Sequence, residues 1–309
     1  MRRAFIKALC ELAERDSRIL LLTGDLGYMA LEPFSERFPE RYFNVGVAEQ
    51  NLVGLATGLA EAGFMPFVYS IVPFAVLRPY ELIRNGPIQH QWQVRIVGVG
   101  GGFEYGTNGL SHYGLEDVGV LRLQPGISVM APADHEQAGT VLKETWNLPG
   151  PVYYRLGKDD KTIVPGLGGR FELGKLQTLR EGSDLVFITM GNVVGEALLA
   201  AERLSSQGVS AGVSCVASVK PSPREELLRL IRSHKWVITV EAHYATGGIG
   251  SMVAEIMAEE EQTSRLIRCG VQTPTDGISG STSFLYEKYG LSSGALVQTA
   301  LTALAKGKG

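Results

Sequence analysis

The sequence predicts an α/β protein made of two doubly wound domains in tandem, and three observations carry that expectation. Short apolar runs of strand length alternate with helical patterns through the first half of the 309 residues. A stretch rich in glycine, charge and proline, GKDDKTIVPGLGGR, interrupts the alternation at 157–170. The alternation then resumes. Strand–helix alternation builds a mostly parallel sheet covered by helices on both faces, and an interruption of this composition reads as a linker. The expected domains are 1–156 and 171–309, joined by the linker 157–170.

The elements follow in order. Ile19–Thr23, Phe43–Val47, Pro66–Ser70, Val94–Val99, Ile127–Ala131 and Val152–Arg155 read as buried strands of the first domain. Glu49–Ala62, Phe74–Asn85 and Asp134–Trp146 read as the helices between them, with Asp134 as a helix cap. In the second domain Leu185–Met190, Gly212–Val216 and Trp236–Glu241 read as strands, and Gly195–Ser206, Arg224–Ser233 and Gly250–Glu259 as helices.

Composition narrows the class. The chain is 45% hydrophobic and 20% charged, with 29 basic and 32 acidic side chains. That near-balance leaves no electrostatic footprint for nucleic acid or an anionic membrane. Cys10, Cys215 and Cys269 form no Cys-x-x-Cys pair, so a disulfide framework or zinc site is not expected and a cytoplasmic location is the simplest reading. Glu11, Glu14 and Arg15 interrupt any signal-peptide core, and no apolar run reaches the roughly 18 residues of a membrane span. The glycine run Gly98–Gly102 and the pair Gly248, Gly250 lack the third glycine of a dinucleotide fingerprint.

The most informative stretch is Tyr42–Gly63, YFNVGVAEQNLVGLATGLAEAG. A strand runs into a helix of small residues, with Glu49 at the junction. Gly54, Gly58 and Ala62 share one face and allow another element to approach closely. Glu49 has two readings. It complements the positive end of the helix, or it is a carboxyl in apolar surroundings, with raised proton affinity, available for acid–base work.

This stretch resembles the pyrimidine-binding domain of transketolases and of deoxyxylulose-phosphate synthase. The resemblance extends through YSIVPFAVLRPYELIRN, GTNGLSHYGLED, QPGISVMAPADHEQ, PVYYRLGKDD and TVEAHYATGGIGSMVAE to most of the chain. It implies a pyrimidine-binding domain followed by a transketolase C-terminal domain, and thiamine diphosphate as cofactor. Glu49 stands where the family glutamate bonds the pyrimidine ring nitrogen and favours the imino tautomer that activates the thiazolium carbon. Asp25 and Val47 fall beside the cofactor, and Phe74, with Tyr69 as the alternative, matches the aromatic ring against the pyrimidine. His112 matches a substrate-facing histidine, Asn108 lies in the same loop, and Arg155 matches an arginine that binds substrate phosphate. Arg3 is a weaker phosphate candidate, and His243 reads as structural or interfacial.

Two departures bear on substrate. Asn108 stands where the family usually has Asp, and Gly100 where transketolases carry a histidine. The family's magnesium-binding Gly-Asp-Gly segment has no counterpart in this sequence, so the resemblance implies magnesium ligands on a separate diphosphate-binding subunit. It implies a homodimer of this chain within a two-plus-two assembly with that partner, transferring a two-carbon ketol or related acyl unit. The beta subunit of a 2-oxoacid dehydrogenase decarboxylating component and a non-catalytic homologue are the alternatives.

Overall fold

The computed structural model describes residues 1–306; the last three residues of the expected second domain lie outside it. Twelve strands form two sheets among the described residues. The first half contributes β1 (Ile19–Thr23), β2 (Tyr42–Asn44), β3 (Met65–Ile71), β4 (Arg95–Val99), β5 (Ser128–Met130) and β6 (Val152–Leu156). The second contributes β7 (Gln177–Arg180), β8 (Leu185–Met190), β9 (Ala211–Cys215), β10 (Ser218–Lys220), β11 (Trp236–Tyr244) and β12 (Arg265–Val271).

The seven-stranded sheet runs β10-β5-β6-β4-β3-β1-β2 and is parallel except for β10. Its central strands are buried on both faces, as a sheet sandwiched by helices requires. On one side the helices Arg2–Ala13 and His135–Thr145 pack together, and Phe5 meets Phe67 and Tyr154 edge-on at 6.5 and 5.2 Å. Burying each such ring contributes about 1.5–3 kcal/mol. The helix Glu49–Glu61 lies on the other side through Leu52, Val53 and Ala56. The five-stranded sheet runs β12-β11-β8-β9-β7, parallel except for β7.

Three expectations shift. β10 belongs by sequence to the second domain, yet it pairs antiparallel with β5 and finishes the first sheet. The core likewise runs through both domains: Leu52 and Val129 share one apolar cluster with Ile188, Leu227 and Met252. The helix expected over Phe74–Asn85 is broken into Val72–Val76, Tyr80–Ile83 and a π turn at Arg84–Ile88. Pro79 has no N–H to carry the ladder onward, which accounts for the first break. The segment 157–170 is fastened rather than loose: Val164 and Leu167 are buried, and Asp134 accepts from the Val164 N–H while capping its own helix through the Gln137 N–H. No described helix is long and apolar enough to cross a membrane.

Candidate active site

The carboxyl ends of parallel strands are where an open α/β sheet gathers ligand groups, because the loops there splay apart. β1 leads to Asp25, β2 to Val47 and Glu49, β3 to Phe74, and β4 to the loop that carries Asn108 and His112.

Glu49 opens its helix and is 2% exposed. Its Oε2 accepts a hydrogen bond from Arg78 Nη1 at 2.9 Å. Its Oε1 is sealed from solvent and has no partner. With a guanidinium on one oxygen, apolar enclosure alone does not describe this group. Gly24 lets the β1 turn pass close by: a Cβ there would lie 3.2 Å from Gly46 O and 3.9 Å from Glu49 Cγ. Val47, two residues before Glu49, is 72% exposed.

Phe74 is half-buried, with the Arg78 guanidinium 4.0 Å from its ring centroid on one side. His112 meets the same ring edge-on at 5.1 Å. Desolvation and the Arg78 charge hold His112 below the ordinary histidine value, so the neutral imidazole is favoured. Tyr69 does not share this face. It is 3% exposed inside β3, which leaves Phe74 as the aromatic surface of the group. Asn108 is exposed on the turn Gly106–Asn108 of the same loop. Asp25 sits at φ +62°, and its main-chain N–H and carboxylate are both engaged by Asn44.

Arg155 lies near the carboxyl end of β6 and is largely enclosed. The expected phosphate ligand is 4% exposed and pairs with Asp117 at 2.9 Å. It also donates to the carbonyls of Gly114 and Ala242, each at 2.9 Å. Tyr153 Oη donates to the same Asp117 oxygen at 2.7 Å. Arg155 therefore fastens the first domain to the second through Nε and Nη2. The glycine run over it has the same origin: a Cβ on Gly101 would lie 2.5 Å from Arg155 Cζ, and one on Gly102 2.6 Å from Ala242 Cβ. His243 lies in this interface too, accepting from the Gly119 N–H at 3.1 Å and facing Tyr244 O at 2.7 Å. That pairing places the ring proton on Nδ1.

The cation that does face outward is Lys158, three residues on. With Arg2, Arg3, Lys161 and His135 it lines a cavity of about 560 Å³, alongside Glu104, Asp159 and Asp160. Lys158 Nζ lies 4.5 Å over the ring of Tyr105, which in turn stands 6.1 Å from His112. Tyr105 also fills the space beside Gly100, where a Cβ would come within 2.1 Å of its ring. The side chain that transketolases place at Gly100 thus has no room here. Sequence reasoning missed Arg78, Tyr105 and Lys158. Each stands in or near one of the motifs that carry the resemblance, but only the fold brings Arg78 to Glu49 across 29 positions.

Comparison with known proteins decides the family. The transketolase pyrimidine binding domain matches residues 1–162, and the transketolase C-terminal domain matches residues 174–296. The chain belongs to the transketolase family. A 6-deoxy-6-sulfo-D-fructose transketolase subunit of Clostridium sp. is 36% identical, with the match covering 97% of this chain and 93% of that protein. An apulose-4-phosphate transketolase subunit of Phocaeicola vulgatus is 34% identical over 99% and 97%. A solved split gene transketolase, an inactive beta4 tetramer, superposes with a TM-score of 0.86 at 36% identity, covering 98% of this chain and 97% of that one. The transketolase fold accounts for the two sheets, and Glu49 lies within the part that matches the pyrimidine binding domain.

Among the described residues no cluster of His, Cys, Asp and Glu could hold a metal ion. The cofactor fit rests on Glu49 Oε1, a buried acceptor without a donor. A protonated pyrimidine nitrogen is the kind of donor it lacks, and the exposed Val47 and half-buried Phe74 supply apolar surface for a flat ring.

Proposed function

We propose that this chain is the C-terminal subunit of a thiamine-diphosphate-dependent transketolase-type enzyme that moves a two-carbon ketol unit between carbonyl compounds. The observation that carries the reading is the unpartnered, buried Glu49 Oε1 beside the aromatic face of Phe74. Glu49 would hold the pyrimidine ring nitrogen, with Phe74, Val47 and Asp25 around it. When bound, the cofactor supplies the carbanion equivalent that takes up the two-carbon unit.

The remaining work falls to side chains of this chain. Neutral His112 orients substrate hydroxyls and can donate or accept a hydrogen bond as alkoxide charge develops. Tyr105 narrows the floor between His112 and the Lys158 cavity. Arg155 and, in the nearby cavity, Lys158 with Arg2 and Arg3 are the candidate seats for an anionic end of the sugar. The two relatives described above carry a sulfo sugar and a sugar phosphate in their names, and both are subunits. Asn108 adds a neutral amide at the rim.

The diphosphate and its magnesium would be held by a separate subunit. The helix Glu49–Glu61 turns Gly54, Leu55 and Gly58 to solvent, with exposed Ala62 just past its end. Val47, Leu55 and Leu77 are exposed apolar groups near the site. These surfaces support pairing with a second copy and with the diphosphate-binding subunit, as a two-plus-two assembly in the cytoplasm. A 2-oxoacid dehydrogenase beta subunit is the weaker reading, since the relatives described above are transketolase subunits. The test is turnover. The chain mixed with a diphosphate-binding subunit of the family, thiamine diphosphate and magnesium should transfer ketol units, and the chain alone should not. Full activity of the chain alone, or none of the mixture, would refute the proposal.

A further inference from the structure

One guanidinium addresses both halves of the pyrimidine face. Arg78 Nη1 donates to Glu49 Oε2 at 2.9 Å, and the same group lies 4.0 Å over the Phe74 ring. It leaves Glu49 Oε1 without a partner. A carboxyl at the end of a Glu side chain has a broad terminal torsion. A charge-assisted bond to one oxygen fixes that torsion and thereby aims the other oxygen. A planar cation on an aromatic face likewise limits the tilt of the ring. Among the described residues, Arg78 is the group that holds the carboxyl in this way, and the start of the helix carries no side-chain cap.

We infer that Arg78 is a positioning residue. It orients the Glu49 carboxyl so that Oε1 faces the pyrimidine ring nitrogen, and it sets the Phe74 ring at a fixed angle to that oxygen. The inference rests on the functional reading above. It differs from a mere surface ion pair in its geometry: the pair joins an Arg that is 43% exposed to a Glu that is 3% exposed at the side chain. The buried partner gains its orientation, while the exposed one holds little of the fold together. Arg78 also acts on His112, the third group on the Phe74 ring. Its charge is one of the two influences that keep that histidine neutral.

The test uses Arg78→Met, Arg78→Lys and Arg78→Ala in the complex with the diphosphate-binding subunit, with Glu49→Gln as reference. Two readouts do not depend on turnover. One is thiamine diphosphate affinity by calorimetry, and the other is the near-ultraviolet circular-dichroism band of the imino tautomer. Arg78→Met should fold normally, bind the cofactor about ten- to a hundredfold more weakly, and lose most of the imino band. Arg78→Lys should recover affinity only in part, because an ammonium keeps the charge and loses the plane. Guanidinium ion at millimolar concentration should restore part of the band to Arg78→Ala. Unchanged affinity and band in Arg78→Met, with Glu49→Gln impaired, would overturn the role of Arg78 and leave that of Glu49 standing. Tighter binding by Arg78→Met would also overturn it, by making the guanidinium a stand-in that the cofactor displaces. If Glu49→Gln itself binds and shows the band like wild type, the functional reading of the whole face falls.

Discussion

Two clusters of the same residue types lie in this molecule, and they behave in opposite ways. Glu49, Arg78, Phe74 and His112 stand at the carboxyl ends of parallel strands, with one sealed carboxylate oxygen left unbonded. Arg155, Asp117, Tyr153, Glu241 and His243 lie between the domains, and all are buried. The second cluster also holds a sealed oxygen without a partner, Asp117 Oδ1, while its other groups are largely committed to structural bonds. Glu241 accepts the N–H groups of Ile249 and Gly250 at the start of a helix, at 2.8 and 2.9 Å. Arg155 donates from Nε to Asp117 and from Nη2 to two carbonyls. A buried charge must be paired and hydrogen-bonded to be tolerated. What separates the two clusters is exposure, since Phe74, Arg78 and His112 reach solvent while Arg155, Asp117, Tyr153, Glu241 and His243 are buried.

The largest effect expected is on the open cluster. Glu49→Gln should keep the fold and reduce turnover by orders of magnitude, because an amide cannot exchange a proton with the pyrimidine ring. Hydrogen–deuterium exchange at the thiazolium carbon in the assembled complex measures this directly. Exchange as fast as wild type would return Glu49 to the role of a helix-end charge.

The sealed cluster should answer in stability instead. Arg155→Met leaves Asp117 buried without its cation and should cost about 3–5 kcal/mol, read from the urea midpoint. The double variant Arg155→Met, Asp117→Asn should recover part of that loss. If the single variant is as stable as wild type and only substrate KM rises, then Arg155 does serve substrate after all.

His112→Ala should sit between these extremes, lowering turnover about a hundredfold with little change in unfolding. Since the His112 pKa is held below its ordinary value, its neutral form persists to lower pH than in an ordinary histidine. Activity that depends on it should therefore hold as pH falls through 6.5 and decline only below. A pH–rate profile of wild type against His112→Ala isolates that limb.

The smallest effect concerns Glu104, which lies between the two clusters. Its carboxyl accepts from the Lys158 N–H and from Asn192 Nδ2, each at 2.7 Å. Desolvation nevertheless pushes it up to about 7 from an unfolded value near 4.5. A raised value means that its contribution is fully present below about 4.5 and is lost as pH rises through about 7. Relative to Glu104→Gln, wild type should lose on the order of 1 kcal/mol between about pH 5.5 and 8. Equal urea midpoints for the two proteins across that range would place Glu104 with ordinary surface carboxylates.

The sequence by itself determined the class of fold. Alternation of apolar runs and helical patterns located β1, β3, β4, β8 and the helices that begin at Glu49 and Val194 to within a residue or two, because burial on both faces of a parallel sheet imposes a local pattern. The junction of a strand with a small-residue helix singled out Glu49 for the same local reason. Tertiary structure alone decided the rest. β10 crosses into the first sheet, and a three-residue edge strand carries too little pattern to announce its partner. Arg155 and Lys158 are three positions apart and look equivalent in sequence, yet one is sealed against Asp117 and the other faces a cavity. Arg78 reaches Glu49 only because β3 delivers the next loop to the carboxyl end of the same sheet. Which way a charged side chain points depends on what else is buried beside it, and that is fixed by contacts between segments distant in the chain.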